Sequence, residues 1–370
     1  MKKIILFMIL FLFSMGKNVQ GSEGFVMEDF DLTESFQSLQ EHDYQKELGK
    51  EILQELQEGN IKEVFLLVGT WIKEKTIGEL LSLRKIILNF MVLVLISALF
   101  TNFSNAFSKN GVSDTAFYIC YLSGISMMIS LFDMVVQLGI GFMEFVVAFM
   151  SATIPTYFVA VSLLGQASAT GFYHFMLISI GMVNYLFLKV FVPLIKVYLT
   201  VGLINNISKE KLLSKFCEFL RYIMKKGSKF LVGGIIGINL LQSLLLPNID
   251  ATKNSMVMKM AQSIPGIGTS IGGYSGVLVG SLHLIKNVIG GYAIVVLLLI
   301  CLVPYIKIQC YHLALQLLLA MSQPVAEQRI VSGFQIVADS MEMLANLVLS
   351  IGILFIVGIA IVCVSTNYIR

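Results

Sequence analysis

Met343–Val364 reads MLANLVLSIGILFIVGIAIVCV, 22 residues without a single charge. About 20 consecutive apolar residues of helix cross the hydrocarbon core of a bilayer. No water is present at that depth, so the backbone must pair with itself, and an α-helix does so within one segment. Working outward from this run, similar ones recur at Ile86–Phe103, Thr115–Leu138, Ile140–Leu164, Gly171–Ile204, Phe230–Leu246, Gly276–Val303 and Ile308–Met321. The 34-residue Gly171–Ile204 run holds Asn184, Lys189, Pro193 and Lys196, and reads as one long tilted helix or as a tight pair. The expected fold is therefore all-α: a polytopic α-helical membrane protein with about 7–8 transmembrane helices. Pro155, Pro193 and paired glycines predict kinked or re-entrant helices among them.

Composition agrees. Of 370 residues 56% are hydrophobic and 13% charged. A soluble domain carries about 25% charged residues. There are too few charges to cover a water-facing surface, and lipid contact removes the need for them. The net charge of +3 hides an asymmetry: Ser22–Lys85 holds 14 acidic and 7 basic residues, and everything after Lys85 only 9 acids. Cys120, Cys217, Cys301, Cys310 and Cys363 lie in or beside apolar runs without CxxC or metal-ligand spacing, which reads as apolar packing.

At the N-terminus, Lys2-Lys3 precede Ile4–Phe13 (IILFMILFLF). Ten apolar residues are too few to span a bilayer and suit a signal-peptide core. Val19 and Gly21 fit a cut before Ser22, with an uncleaved anchor as the alternative. In the acidic segment that follows, Leu48, Ile52, Leu53 and Leu56 share one helical face, and Gly59-Asn60 suits a C-cap. That amphipathic helix packs on its own neighbour or docks a partner. The expected division is a signal peptide over 1–21, an acidic exported helical segment over 22–85 and a multi-pass domain over 86–370.

Charge distribution sets a topological conflict. The signal peptide places 22–85 outside. Asn205–Lys229 carries Lys209, Lys211, Lys215, Arg221, Lys225, Lys226 and Lys229 against Glu210 and Glu218, and the positive-inside bias places it in the cytoplasm. Four single spans between the two would leave both outside. Two passes within Gly171–Ile204 restore agreement. The basic segment also suits an amphipathic helix along anionic lipid.

No catalytic signature is present. His42, His174, His283 and His312 form no HExxH pair, and there is no Walker A sequence. Neither a cofactor nor a metal site is expected, nor a nucleic-acid partner. Gly272, Gly276 and Gly280 form GxxxGxxxG, and Gly233 and Gly237 form GxxxG, spacings that let helices approach closely within or between chains. Asp133, Glu144, Lys189, Lys196, Lys286 and Lys307 are charges at membrane depth, which are costly and mark polar paths or partners. Lys307, just after Pro304, suits a snorkelling side chain at a span end. Lys286 lies next to Asn287 and three residues after His283, as a lining of a water-filled path would. Ser255–Tyr292 is the most unusual stretch. Pro265 and five glycines are expected to break helix there before Val277, as backbone lining a cavity would.

This stretch and its sequel resemble the stage III sporulation protein AE family of endospore-forming bacteria. Ile264-Pro265-Gly266-Ile267-Gly268 looks like the family's Pro/Gly-rich turn. Gly280–Leu284, Lys286-Asn287 and Gly290 look like its segment of a small residue, apolar run, Lys-Asn and Gly. Pro304, Ile306 and Lys307 resemble its P-x-I-K step, and Gln323-Pro324 and Arg329 its later Pro and Arg positions. The resemblance covers Lys62 to the C-terminus and is most specific between Ser255 and Gly333. It implies a membrane subunit of the channel or secretion complex that links mother cell and forespore, in the mother-cell membrane around the forespore. It also implies partners: the other subunits of that complex, a secretion-type ATPase and a forespore membrane protein. The rival from another class is a stand-alone permease for a small solute. The residues singled out for a pore or assembly role are Pro265, Gly268, Gly272, Gly276, Gly280, Lys286, Asn287, Gly290, Pro304, Lys307, Pro324 and Arg329.

Overall fold

The structure, a computed structural model, describes residues 110–163, 168–207, 212–262, 268–324 and 326–365, with scattered positions between 63 and 99. For some stretches, 243–289 chief among them, it describes the backbone and few side chains. The signal peptide, the amphipathic Asp43–Asn60 segment, His42 and Pro265 lie outside the described residues.

Every element of the body is helical. We number them α1 (Asn110–Leu163), α2 (Ser168–Leu186), α3 (Val192–Ile207), α4 (Ser214–Gln262), α5 (Gly268–Ser322) and α6 (Gln328–Ser365). Among the described residues, four stretches are long and apolar enough to cross a membrane: Tyr121–Ser151, Gly181–Ile207, Ala293–Ser322 and Gln328–Ile361. Ile87–Ile96 is a shorter apolar helix.

The helices are longer than the apolar runs suggest. Thr115–Leu138 and Ile140–Leu164 belong to one helix, α1, which runs unbroken through Gly139-Ile140-Gly141 and past Pro155. Gly276–Val303 and Ile308–Met321 are likewise one helix, α5, continuous through the buried Pro304. An interior glycine costs a helix only about 1 kcal/mol, less than exposing unpaired backbone groups in an apolar setting. The expected break before Val277 is narrower than the glycines suggest: one helix ends at Gln262, and 263–267 lie outside the described residues. Helix resumes at Gly268, so Gly272, Gly273 and Gly276 lie inside α5.

Gly171–Ile204 is not a tight pair. A five-residue π-helical turn, Phe187–Phe191, joins α2 to α3 without reversing the chain, and the Val192 N–H donates to the Phe187 carbonyl. Pro193 follows directly and has no N–H to give the Lys189 carbonyl four residues back. The wide turn absorbs that missing bond and keeps Phe187 and Phe191 both buried, with ring centroids 5.2 Å apart. The extra pass that would have reconciled 22–85 with the basic segment is therefore not made there.

The last turn of α3 and the first turns of α6 lie at one end of the bundle, where Tyr121 of α1 donates to the Leu203 carbonyl at 2.9 Å and lies against Gly333. Pro324, exposed just past the end of α5, stops that helix. α6 is central and packs on α5, α4, α3 and α1. Its Val337, Ala338, Met341, Leu344, Val348 and Ile351 are fully buried. Between helices in lipid the hydrophobic effect adds little, so close packing of small residues must hold them. The glycines serving this purpose are mostly on or against α6. A Cβ at Gly139 would meet Leu344 at 3.2 Å, one at Gly333 the Tyr121 hydroxyl at 3.0 Å, and one at Gly358 the Met176 methyl at 3.1 Å. Gly233 and Gly237 face open space instead, with nothing within 4 Å of an added Cβ.

Candidate functional site

At the end where α3 stops and α4 starts, a cavity of about 270 Å3 opens between α3, α4 and α6. Helical spacing brings its polar groups together. Tyr198 and Asn205 lie two turns apart on α3, Cys217 and Arg221 one turn apart on α4, and Gln335 and Asp339 one turn apart on α6.

Asp339 is the hub. Its carboxylate pairs with the Arg221 guanidinium, accepts from Gln335 Nε2 at 3.1 Å and lies 3.4 Å from the Tyr198 hydroxyl. Arg221 also sits over the Tyr198 ring, 6.0 Å from its centroid. One turn further, Lys225 pairs with Glu342 at 3.0 Å. Because α4 and α6 run parallel, the 221/225 step on one matches the 339/342 step on the other. Two cations of the basic segment are thus paired with carboxylates of α6.

The α3–α4 connection is closed by Asn205. Its Oδ1 accepts from the Leu213 backbone N–H at 2.7 Å, and its Nδ2 donates to Ser214 Oγ at 3.2 Å. These bonds take up groups that a helix start leaves unpaired. Burial pushes the Cys217 thiol above its ordinary range, which favours the protonated form. A carboxylate held by three donors, a paired arginine and a protonated thiol make a clamp around a polar cavity. Cys301, Cys310 and Cys363 are also buried, as expected of packing residues.

Gly290, Pro304, Lys307, Pro324 and Arg329 are not among the residues that line this cavity. Gly268, Gly272, Gly276, Gly280, Lys286 and Asn287 fall on the first half of α5, whose side chains are not described. Gly290 and Pro304 are buried further along α5, and Lys307 is half-buried. Arg329, in the first turn of α6, pairs with Glu327, Nε to Oε1 at 2.6 Å. His312 shares a 3.3 Å hydrogen bond with Gln316 one turn on. The structure does join two of the charges at depth: Lys196 of α3 and Asp133 of α1 pair at 3.2 Å. The charge-free run begins at Met343, just past Asp339 and Glu342. Gln335, Asp339 and Glu342 recur at i, i+4 and i+7, a polar stripe on one helical face that spacing alone could have shown.

The family model described as stage III sporulation protein AE matches residues 48–366, which include α1 to α6 and the cavity. The chain belongs to the stage III sporulation protein AE family. No curated protein and no solved structure matches it. The stage III sporulation protein AE match confirms the resemblance first carried by the Ile264–Gly268, Lys286-Asn287 and Pro304–Lys307 motifs, and with it a role in sporulation.

Proposed function

We propose that this chain is a non-enzymatic, multi-pass subunit of a channel or secretion complex between mother cell and forespore, embedded in the mother-cell membrane. The observation that carries this reading is the family match over residues 48–366. Four helices long and apolar enough to cross a membrane support it, and so does a polar centre built as a clamp between helices. In this reading the acidic segment 22–85 lies between the two membranes. The partners are the other subunits of the complex, a secretion-type ATPase and a forespore membrane protein.

Affinity purification of the full chain from sporulating cells, after detergent extraction, tests this directly. The expected result is recovery with an ATPase and other membrane subunits, and arrest of forespore development on deletion. Purified chain that takes up a small solute alone in liposomes, with no partner recovered, would replace this reading with the permease.

A further inference from the structure

The outward face of α1 is more polar than its inward face, although the helix is apolar enough to cross a membrane. Inward, Met128, Leu131, Phe132, Val135, Val136, Phe142, Met143 and Val146 are buried. Outward, Ser123, Ser126, Ser130, Asp133, Gln137, Glu144 and Ser151 are all exposed. At 3.6 residues per turn these seven fall within an arc of about 80°. Gly141 and Ala148, also exposed, fill the same stripe. It runs the length of Tyr121–Ser151.

A second polar row lies beside it. Lys189, Lys196 and Thr200 are exposed on the π turn and α3. The Lys196–Asp133 pair joins the two rows while its side chains remain 45% and 56% exposed. The outward faces of other spans show what lipid contact looks like in this molecule. On α5 the exposed positions include Leu313, Leu317 and Met321.

Serine hydroxyls alone would not decide the matter. Ser130 returns its hydrogen bond to the Ser126 carbonyl and Thr200 to that of Lys196, which makes either tolerable in lipid. Gln137, Glu144 and Lys189 show no such bond, and the Lys196–Asp133 pair stays half exposed. A charge at the bilayer centre costs about 3 kcal/mol or more. Several of them on one face, at depths between the two ends of the span, cannot all snorkel to a headgroup region.

Taking α1 as membrane-crossing, we propose that the Ser123–Ser151 stripe, with Lys189 and Lys196 beside it, borders a water-filled path through the membrane. This deepens the channel-subunit reading by naming a face for it, one distinct from the Lys286 region of α5.

Substituted-cysteine labelling tests it on the full chain in membrane vesicles, with a charged, membrane-impermeant methanethiosulfonate reagent. A Cys120→Ser background sets the baseline, since the other four cysteines, Cys217, Cys301, Cys310 and Cys363, are buried. Ser130→Cys, Gln137→Cys and Glu144→Cys report on the stripe, and Leu313→Cys and Leu317→Cys on a lipid face. The reagent needs a thiolate, which forms only where water reaches. We expect the three stripe positions to react at least about 10-fold faster than the α5 pair. Equally slow reaction at all five would overturn the path and leave the stripe a dry contact with another subunit. Equally fast reaction at all five would overturn it differently, by showing that these helices do not cross the membrane. None of these rates depends on which complex the chain serves. A dry stripe together with intact co-purification of the ATPase would sink the path and spare the proposed function.

Discussion

Asp339 of α6 and Arg221 of α4 lie 118 positions apart in sequence and form the ion pair on which the polar centre is built. Asp339 is the more enclosed partner, with its side chain 13% exposed against 39% for Arg221. Removing the carboxylate strands three donors at once: the guanidinium, the Gln335 amide and the Tyr198 hydroxyl. Breaking a buried pair costs about 3–5 kcal/mol, and partial exposure of the arginine reduces that. We expect Asp339→Ala to cost about 2 kcal/mol, seen as a lower thermal midpoint of the detergent-solubilised chain. Tyr198→Phe removes only the long 3.4 Å contact and should cost well under half as much.

The neighbouring Lys225–Glu342 pair tests whether enclosure, rather than charge, sets that ranking. Its side chains are 40% and 37% exposed. Screened pairs of this kind are worth about 0–1 kcal/mol. Glu342→Gln should therefore shift the thermal midpoint far less than Asp339→Ala does. A larger shift at Glu342 would show that the parallel α4–α6 contact is organised around the second rung instead.

Cys217 offers a chemical probe of the cavity. Burial raises its thiol above the ordinary range. A raised value favours the protonated form, so at any given pH less thiolate is present in the folded chain than in the unfolded one. Maleimide labelling of Cys217 should be slow near neutrality, accelerate only at pH above the usual thiol range, and become fast on denaturation. The sign for stability follows: once pH exceeds the unfolded thiol's value, only the unfolded state releases the proton, so stability falls with rising pH there. Arg221→Ala opens the adjoining wall and should speed labelling at neutral pH, as read by mass spectrometry of the tryptic peptide.

Much of this organisation was legible in the residues, and what escaped did so for physical reasons. Apolar runs mark where helices can cross a membrane, because composition alone decides that. They do not mark where helices end. Gly139-Ile140-Gly141 and Pro304 look like interruptions, but apolar surroundings keep the backbone bonded through them. Pro193 did signal an irregularity, and the π turn beside it is the form that irregularity takes. Asp133 and Lys196 stood out as charges at depth. Their pairing did not, since 63 residues separate them and only the packing of α1 on α3 brings them together. Within the chain, glycine spacing and glycine contact do not coincide. Gly233 and Gly237 have the spacing for close approach and meet nothing within 4 Å, whereas the isolated Gly333, Gly352 and Gly358 carry the contacts of α6.

Gly352 makes the sharpest packing prediction. It is buried on α6, and a Cβ placed there would run into Cys301 Sγ on α5 and come within 2.9 Å of Cys301 Cβ. The thiol also points to the Val348 carbonyl at 3.9 Å, so it is held between two α6 backbone groups with little freedom to turn away. Overpacking a tight core costs about 1–3 kcal/mol, and α5 would have to move outward to relieve it. Gly352→Ala should lower the thermal midpoint accordingly. Adding Cys301→Ala removes the sulfur but leaves the Cβ contact, so the double variant should recover most of the loss and not all of it. Gly141→Ala, where nothing lies within 4 Å, should be neutral or gain up to about 1 kcal/mol from helix propensity. Equal losses at Gly352 and Gly141, or no recovery in the double variant, would show that the α5–α6 contact is not set by the Gly352–Cys301 approach.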